Sequence, residues 1–233
     1  MAFGAKIEST ISGAVLRKTN KFKIMDTSQS SASPIIPQNI QGKATDLEES
    51  VVAQNKEDAL KIFRRAAMRL KNVPVWHKLC GALSAEFILA GNDGNPVLRL
   101  AEKNDYFMID IPGPGMREGD GYDWVKVMSI QEEMNEHGDA ELLALIVGSC
   151  ANPATTGNET AHFFKEGATS TFMIQRLGSK VTASYHGRNE LPNTDVKRLT
   201  DKLRNTVVAI GAYGGLSVMQ WQALIKAFLQ DEI

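Results

Sequence analysis

Cysteine is nearly absent from this chain: Cys80 and Cys150 are the two thiols in 233 residues. Two are too few for a disulfide framework, and both sit among apolar neighbours, so they read as reduced, buried thiols in a reducing, cytoplasmic setting. Charge of one sign is absent as well. With 26 basic and 27 acidic residues, the formal net charge is −1. Non-specific nucleic-acid binding needs a surplus of Lys and Arg, so a nucleic-acid partner is not expected. An N-terminal apolar signal is missing, because Lys6, Glu8, Ser9, Ser12 and Gly13 interrupt residues 1–25. The longest uncharged run, residues 205–225, carries Asn205, Thr206, Ser217, Gln220, Gln222 and three glycines. Such polar content is costly in lipid. Core-facing helices explain the run better than a membrane span.

Catalytic and cofactor motifs are missing too. A nucleophile elbow, a phosphate-binding Gly-Lys-Ser/Thr turn and a His-Glu-x-x-His pair are all absent. His77 and Cys80 make one loose pair, with His137, Cys150, His162 and His186 scattered elsewhere. Zinc sites announce themselves with two close pairs, so neither a metal nor a cofactor is expected. Glu132 to His137 superficially resembles a metalloprotease helix, yet it lacks the first histidine and runs straight into Gly138-Asp139. Taken together, these absences weigh against an enzyme.

What is present is a change of hydrophobic period along the chain. Residues 55–72 place Leu60, Phe63, Ala67 and Leu70 on one helical stripe, with acids at the start, Arg69 and Lys71 at the end, and Pro74 as a stop. From residue 84 to 185 the pattern turns to strands: 84–90, 96–101, 106–111, 122–130, 141–149, 168–177 and 180–185. Turns at Asn92-Asp93-Gly94-Asn95 and Gly178-Ser179 mark two hairpins. The chain then returns to helices. Val196, Leu199, Leu203, Val207 and Ile210 form one stripe, and Val218, Trp221, Leu224, Ile225 and Phe228 form another beyond Gly214-Gly215.

The fold class expected is therefore α+β. A polar N-terminal arm occupies 1–45, a helical segment 46–82, a mostly antiparallel sheet or small barrel 83–192, and an αα-hairpin 193–233 packed on that sheet.

Two places collect residues suited to binding. Pro112, Gly113, Pro114, Gly115, Arg117 and Asp120 lie in a loop between strands, where backbone rather than packing dictates shape. The segment from Tyr185 to Glu190 is the densest polar cluster. His186 and Glu190 are candidates for an acid–base pair, with Arg188 as an anion clamp and Asn189 beside them.

Charge is divided along the chain. Six basic residues and no acid fall between Ala59 and Ala85, whereas twelve acids and three bases fall between Ala101 and Thr160. The two blocks can close on each other within the chain or between subunits. The leading functional expectation is a non-enzymatic adaptor or structural subunit of a larger bacterial assembly. It would self-associate or bind protein partners through the arm and the Gly/Pro loop. Two alternatives stand beside it: a small-ligand carrier with a cavity between sheet and helices, and a hydrolase using His186 and Glu190.

Overall fold

The computed structural model describes residues 35–80, 85–110, 121–134, 138–155, 160–193 and 206–231, with side chains in the last segment described from residue 218. They belong to one unit, Pro34–Ile233. In chain order the elements are β1 (Lys43–Val52), α1 (Lys56–Lys71), a 3-10 turn (Val73–Val75), α2 (Trp76–Cys80), β2 (Glu86–Ala90), β3 (Tyr106–Asp110), β4 (Asp123–Met134), β5 (Ala140–Ser149), β6 (Thr169–Leu177), β7 (Lys180–Glu190) and α3 (Thr206–Leu229). All seven strands form one sheet in the order β1-β7-β6-β5-β4-β3-β2, and every neighbouring pair is antiparallel. The fold is α+β.

The almost unbroken apolar run of β5 follows from its position. It is the middle strand of seven, and Glu141 to Gly148 are buried on both faces. At its start, the buried Glu141 pairs with Arg176 of β6, whose guanidinium also donates to the Gly178 carbonyl at 2.7 Å and the Gly138 carbonyl at 3.0 Å. That Arg fork satisfies a carboxylate and two loop carbonyls where adjacent hairpins meet.

Helix α1 begins where the sequence places a cap. The Asn55 side chain accepts from the Asp58 N–H at 2.8 Å, and Ala59, Phe63, Ala66, Ala67 and Leu70 are buried. Trp76, at 1% exposure, is the hub of the interior. Its ring meets Phe87 at 5.4 Å, Phe107 at 5.7 Å, Phe172 at 5.0 Å and Phe228 at 5.9 Å, while its N–H donates to the Arg69 carbonyl at 3.0 Å. Trp221 of α3 stacks on Tyr185 of β7, with centroids 5.3 Å and planes 18° apart.

Three expectations are corrected. The αα-hairpin is absent over the described residues, because α3 runs unbroken from Thr206 to Leu229 through Gly214-Gly215. Glycine weakens a helix by about 1 kcal/mol per residue but does not sterically forbid it. Burial of Leu224, Ile225 and Phe228 against α1, α2, β1 and β7 opposes that cost. The first stripe of the expected hairpin, from Val196 to Leu203, lies outside the described residues.

Residues 96–101 are not a strand. Pro96 makes a lone bridge to Ala90, Leu98 is 97% exposed, and Arg99 folds back to Asp105 in a bidentate pair at 2.6 and 2.8 Å. The turn at Gly94 does form, with φ of +80°, but β3 pairs along β2 instead.

The seventh strand is β1, lying where the arm and helical segment were expected to join. Its acids Asp46, Glu48 and Glu49 disguise an alternation of Thr45, Leu47 and Val51 towards the interior.

Arg65 and Arg69 of α1 have partners inside the chain. Arg69 donates to the carbonyls of Ala227 at 3.0 Å and Gln230 at 2.5 Å, and Arg65 reaches Asp231 at 2.8 Å. Two guanidinium groups thus close the carbonyl end of α3, where cations are favoured. Trp76→Ala is expected to cost roughly 3–5 kcal/mol, as large aromatic truncations do. Arg69→Ala should cost less, about 1–2 kcal/mol. Urea denaturation of both variants checks the order.

Candidate functional site

Strand β7 carries the polar cluster, and its two faces serve different ends. Tyr185 and Gly187 point inward, while His186 and Arg188 point outward to Asp46 of β1. His186 Nδ1 lies 2.6 Å from Asp46 Oδ1, and Arg188 donates to the same oxygen at 2.7 Å. Burial pushes the Asp46 carboxyl upward, but the His186 and Arg188 contacts outweigh it and leave the group below its ordinary value.

The alternation then breaks. Asn189 sits at φ of +56°, in the left-handed region, and three residues of β1 (Lys43 to Thr45) oppose four of β7 (Gly187 to Glu190). This is a β-bulge, which re-aims the residue beyond it. The Asn189 side chain accepts from the Ile40 and Gln41 N–H groups at 2.7 and 3.2 Å, fixing the entry to β1.

Beyond the bulge, Glu190 turns inward and is 9% exposed. Thr45 Oγ1 donates to one carboxylate oxygen at 2.7 Å, and Tyr185 OH donates to the other at 3.3 Å. The Tyr185 hydroxyl also lies 3.1 Å from Ser170 Oγ. Burial, and then the Glu190 carboxylate, push the Tyr185 phenol well above its ordinary value, so it stays protonated and donates. Gly187 makes room for this arrangement. A Cβ there would stand 2.2 Å from a Glu190 oxygen.

A cavity of about 20 Å³ opens beside Glu190, room for roughly one water-sized group. Ser149, His162, Thr169 and Ser170 line it together with Glu190, and Val125 and Val147 supply apolar wall. The Thr169 hydroxyl is buried with no hydrogen-bond partner. His162 Nδ1 accepts from the Phe164 N–H at 2.9 Å, so a neutral ring carries its proton on Nε2. Asp123, buried at the start of β4, accepts from the Phe163 N–H at 3.3 Å. Burial raises the Asp123 carboxyl and lowers the His162 imidazole, and in each case the other group opposes the shift. Desolvation thus disfavours the charged form of each.

His186 and Glu190 occupy opposite faces of β7, which removes the acid–base pair expected for a hydrolase. Arg188 and Asn189 are engaged with β1 and the segment before it. Pro112, Gly113, Pro114, Gly115, Arg117 and Asp120 lie outside the described residues, as does the arm up to residue 34. The sequence reading did not group Thr45, Ser170, Asp123 and His162. Two traces were visible: a carboxylate between Tyr122 and Trp124 at a strand start, and the hydroxyl run Thr169-Ser170-Thr171 heading an apolar strand. Burial pushes the Cys80 and Cys150 thiols up to about 12 each, so neither is a thiolate at neutral pH.

No family model matches the chain, and no curated protein matches it. Among solved structures, it is similar to truncated norcoclaurine synthase from Thalictrum flavum, with TM-score 0.31 and 10% identity, covering 84% of this chain and 100% of that one. It is also similar to Ara h 8.0201, with TM-score 0.27 and 14% identity, covering 78% and 99%. The expectation of an adaptor or structural subunit is corrected here. Thr45, Tyr185, Ser170 and Glu190, which the fold draws together from three strands, face the interior rather than an exposed surface that a partner chain would meet. Among the described residues, no helix is long and apolar enough to cross a membrane.

Gly187→Ala should displace the Glu190 carboxylate from its hydroxyl partners and cost about 1–3 kcal/mol, read as a shift in denaturation midpoint. His162 provides a pH test. Its folded pKa is lowered by burial, whereas the unfolded side chain protonates near 6.5. As pH falls below about 6.5 the unfolded state binds more protons, so stability present above that pH is lost on acidification. The loss is bounded at about 1.4 kcal/mol per pH unit. Stability curves between pH 7.5 and 5 should fall more steeply for the wild type than for His162→Gln.

Proposed function

We propose that this chain is a small-ligand carrier, with its binding site between the inner face of the sheet and α3, at the polar end marked by Tyr185 and Glu190. One observation carries this reading. A buried carboxylate faces the interior beside a cavity, and its hydrogen-bond partners are hydroxyls, with no cation paired to it among the described residues. Burying a charged group without a counter-ion is costly. An interior that is otherwise apolar and aromatic, with a few convergent polar groups at one end, matches the make-up of small-molecule sites. Aromatic side chains from sheet and helix, including Trp221 and Phe172, supply the apolar wall. The ligand would lay apolar surface there and direct a small polar head at Glu190.

Calorimetric titration with a short amphiphilic probe, followed in parallel by quenching of Trp221 fluorescence, tests this. Saturable binding at one equivalent per chain is the expected result. Ser170→Leu, which fills the cavity, should abolish it with little change in melting temperature. Absence of saturable binding, or binding indifferent to Ser170→Leu, would refute the carrier reading.

A further inference from the structure

The groups around the cavity differ in sign and hydrogen-bonding sense in a way that selects one kind of head group. Glu190 presents a buried carboxylate whose two oxygens each hold one hydroxyl donor, leaving lone pairs over. Ser149 Oγ spends its proton on the Lys165 carbonyl at 2.7 Å, so its oxygen is left to accept. The cavity wall therefore carries the Glu190 carboxylate and hydroxyl groups, with the His162 ring beside them. Arg188, the nearby cation on β7, is turned to the other face and held by Asp46.

A group that fits must be about the size of a water, carry several donors, and be positive. We propose that the cavity takes the primary ammonium head of an aliphatic or aromatic amine, a proposal that rests on the ligand-carrier reading and narrows it. The ammonium donates to Glu190 and to Ser149 Oγ, against the apolar wall of Val125 and Val147. A carboxylate head would meet Glu190 as a like charge. A hydroxyl head would fit the space but brings a single donor and no positive charge, so it forgoes the ion pair with Glu190. A trimethylated ammonium exceeds a space of about 20 Å³.

The test compares three probes of equal chain length, n-hexylamine, 1-hexanol and hexanoate, titrated into the full chain at pH 7.5 and read by amide chemical shifts of Thr169 and Gly187. Hexylamine should bind at least tenfold tighter than hexanol, with hexanoate weakest. Glu190→Gln should erase the advantage of the amine while leaving hexanol affinity within about twofold. Ser149→Ala should lower amine affinity several-fold, and it serves where Glu190→Gln does not fold. Equal affinity for hexylamine and hexanol would overturn the ammonium proposal while leaving the carrier reading intact. If none of the three binds, both fail together.

Discussion

The packing of α3 on the sheet through Trp221 is the contact on which the rest of the interior depends. The indole lies flat on Tyr185 and edge-on to Phe172, and Phe228, two turns further along, meets Trp76. Four elements far apart in sequence therefore share one aromatic cluster. Aromatic pairs in such offset and T-shaped arrangements add to the burial energy of the rings. The stack also sets direction. With its ring pinned under Trp221, Tyr185 has its hydroxyl at the edge of the cluster, where Ser170 and Glu190 lie. The apolar core and the polar site are thus two ends of one side chain.

The second constraint is the bulge at Asn189. Without it, strand alternation would carry Glu190 to the same outer face as His186, a residue of equal parity. One extra residue in β7 reverses that, leaving His186 and Arg188 to hold β1 at the sheet edge while Glu190 enters the interior. A left-handed asparagine costs little here, because its side chain replaces ladder bonds with bonds to the Ile40 and Gln41 amides. Gly187 completes the arrangement by leaving open the space its side chain would fill.

Much of the framework was legible. Helix α1, its cap at Asn55 and its buried stripe follow from local periodicity, and strands β3 to β7 follow from runs of β-branched and aromatic residues. Their antiparallel order follows from short connections such as Gly178-Ser179. Where the reading missed, a distant partner decided. Residues 96–101 have strand composition, but Arg99 finds Asp105 and the segment curls away. Residues 43–52 look too acidic for a strand, yet β7 offers an open edge, with His186 and Arg188 to meet Asp46. Gly214-Gly215 looks like a break, yet burial further along α3 holds the helix through it.

For the site, the sequence by itself determined which chemistries were available: hydroxyls, two carboxylates, one imidazole and a tyrosine, with no paired metal ligands and no activated nucleophile motif. It also determined that Tyr185 to Glu190 would be a dense polar cluster. Only the tertiary structure decided which of those groups meet. Thr45, Ser170 and Glu190 lie in three strands separated by up to 145 positions in the chain, and their meeting depends on register. Register is a property of paired strands, and a one-residue bulge alters it without any large change in composition. Periodicity within one segment reports which face is buried. It does not report what waits on the other side.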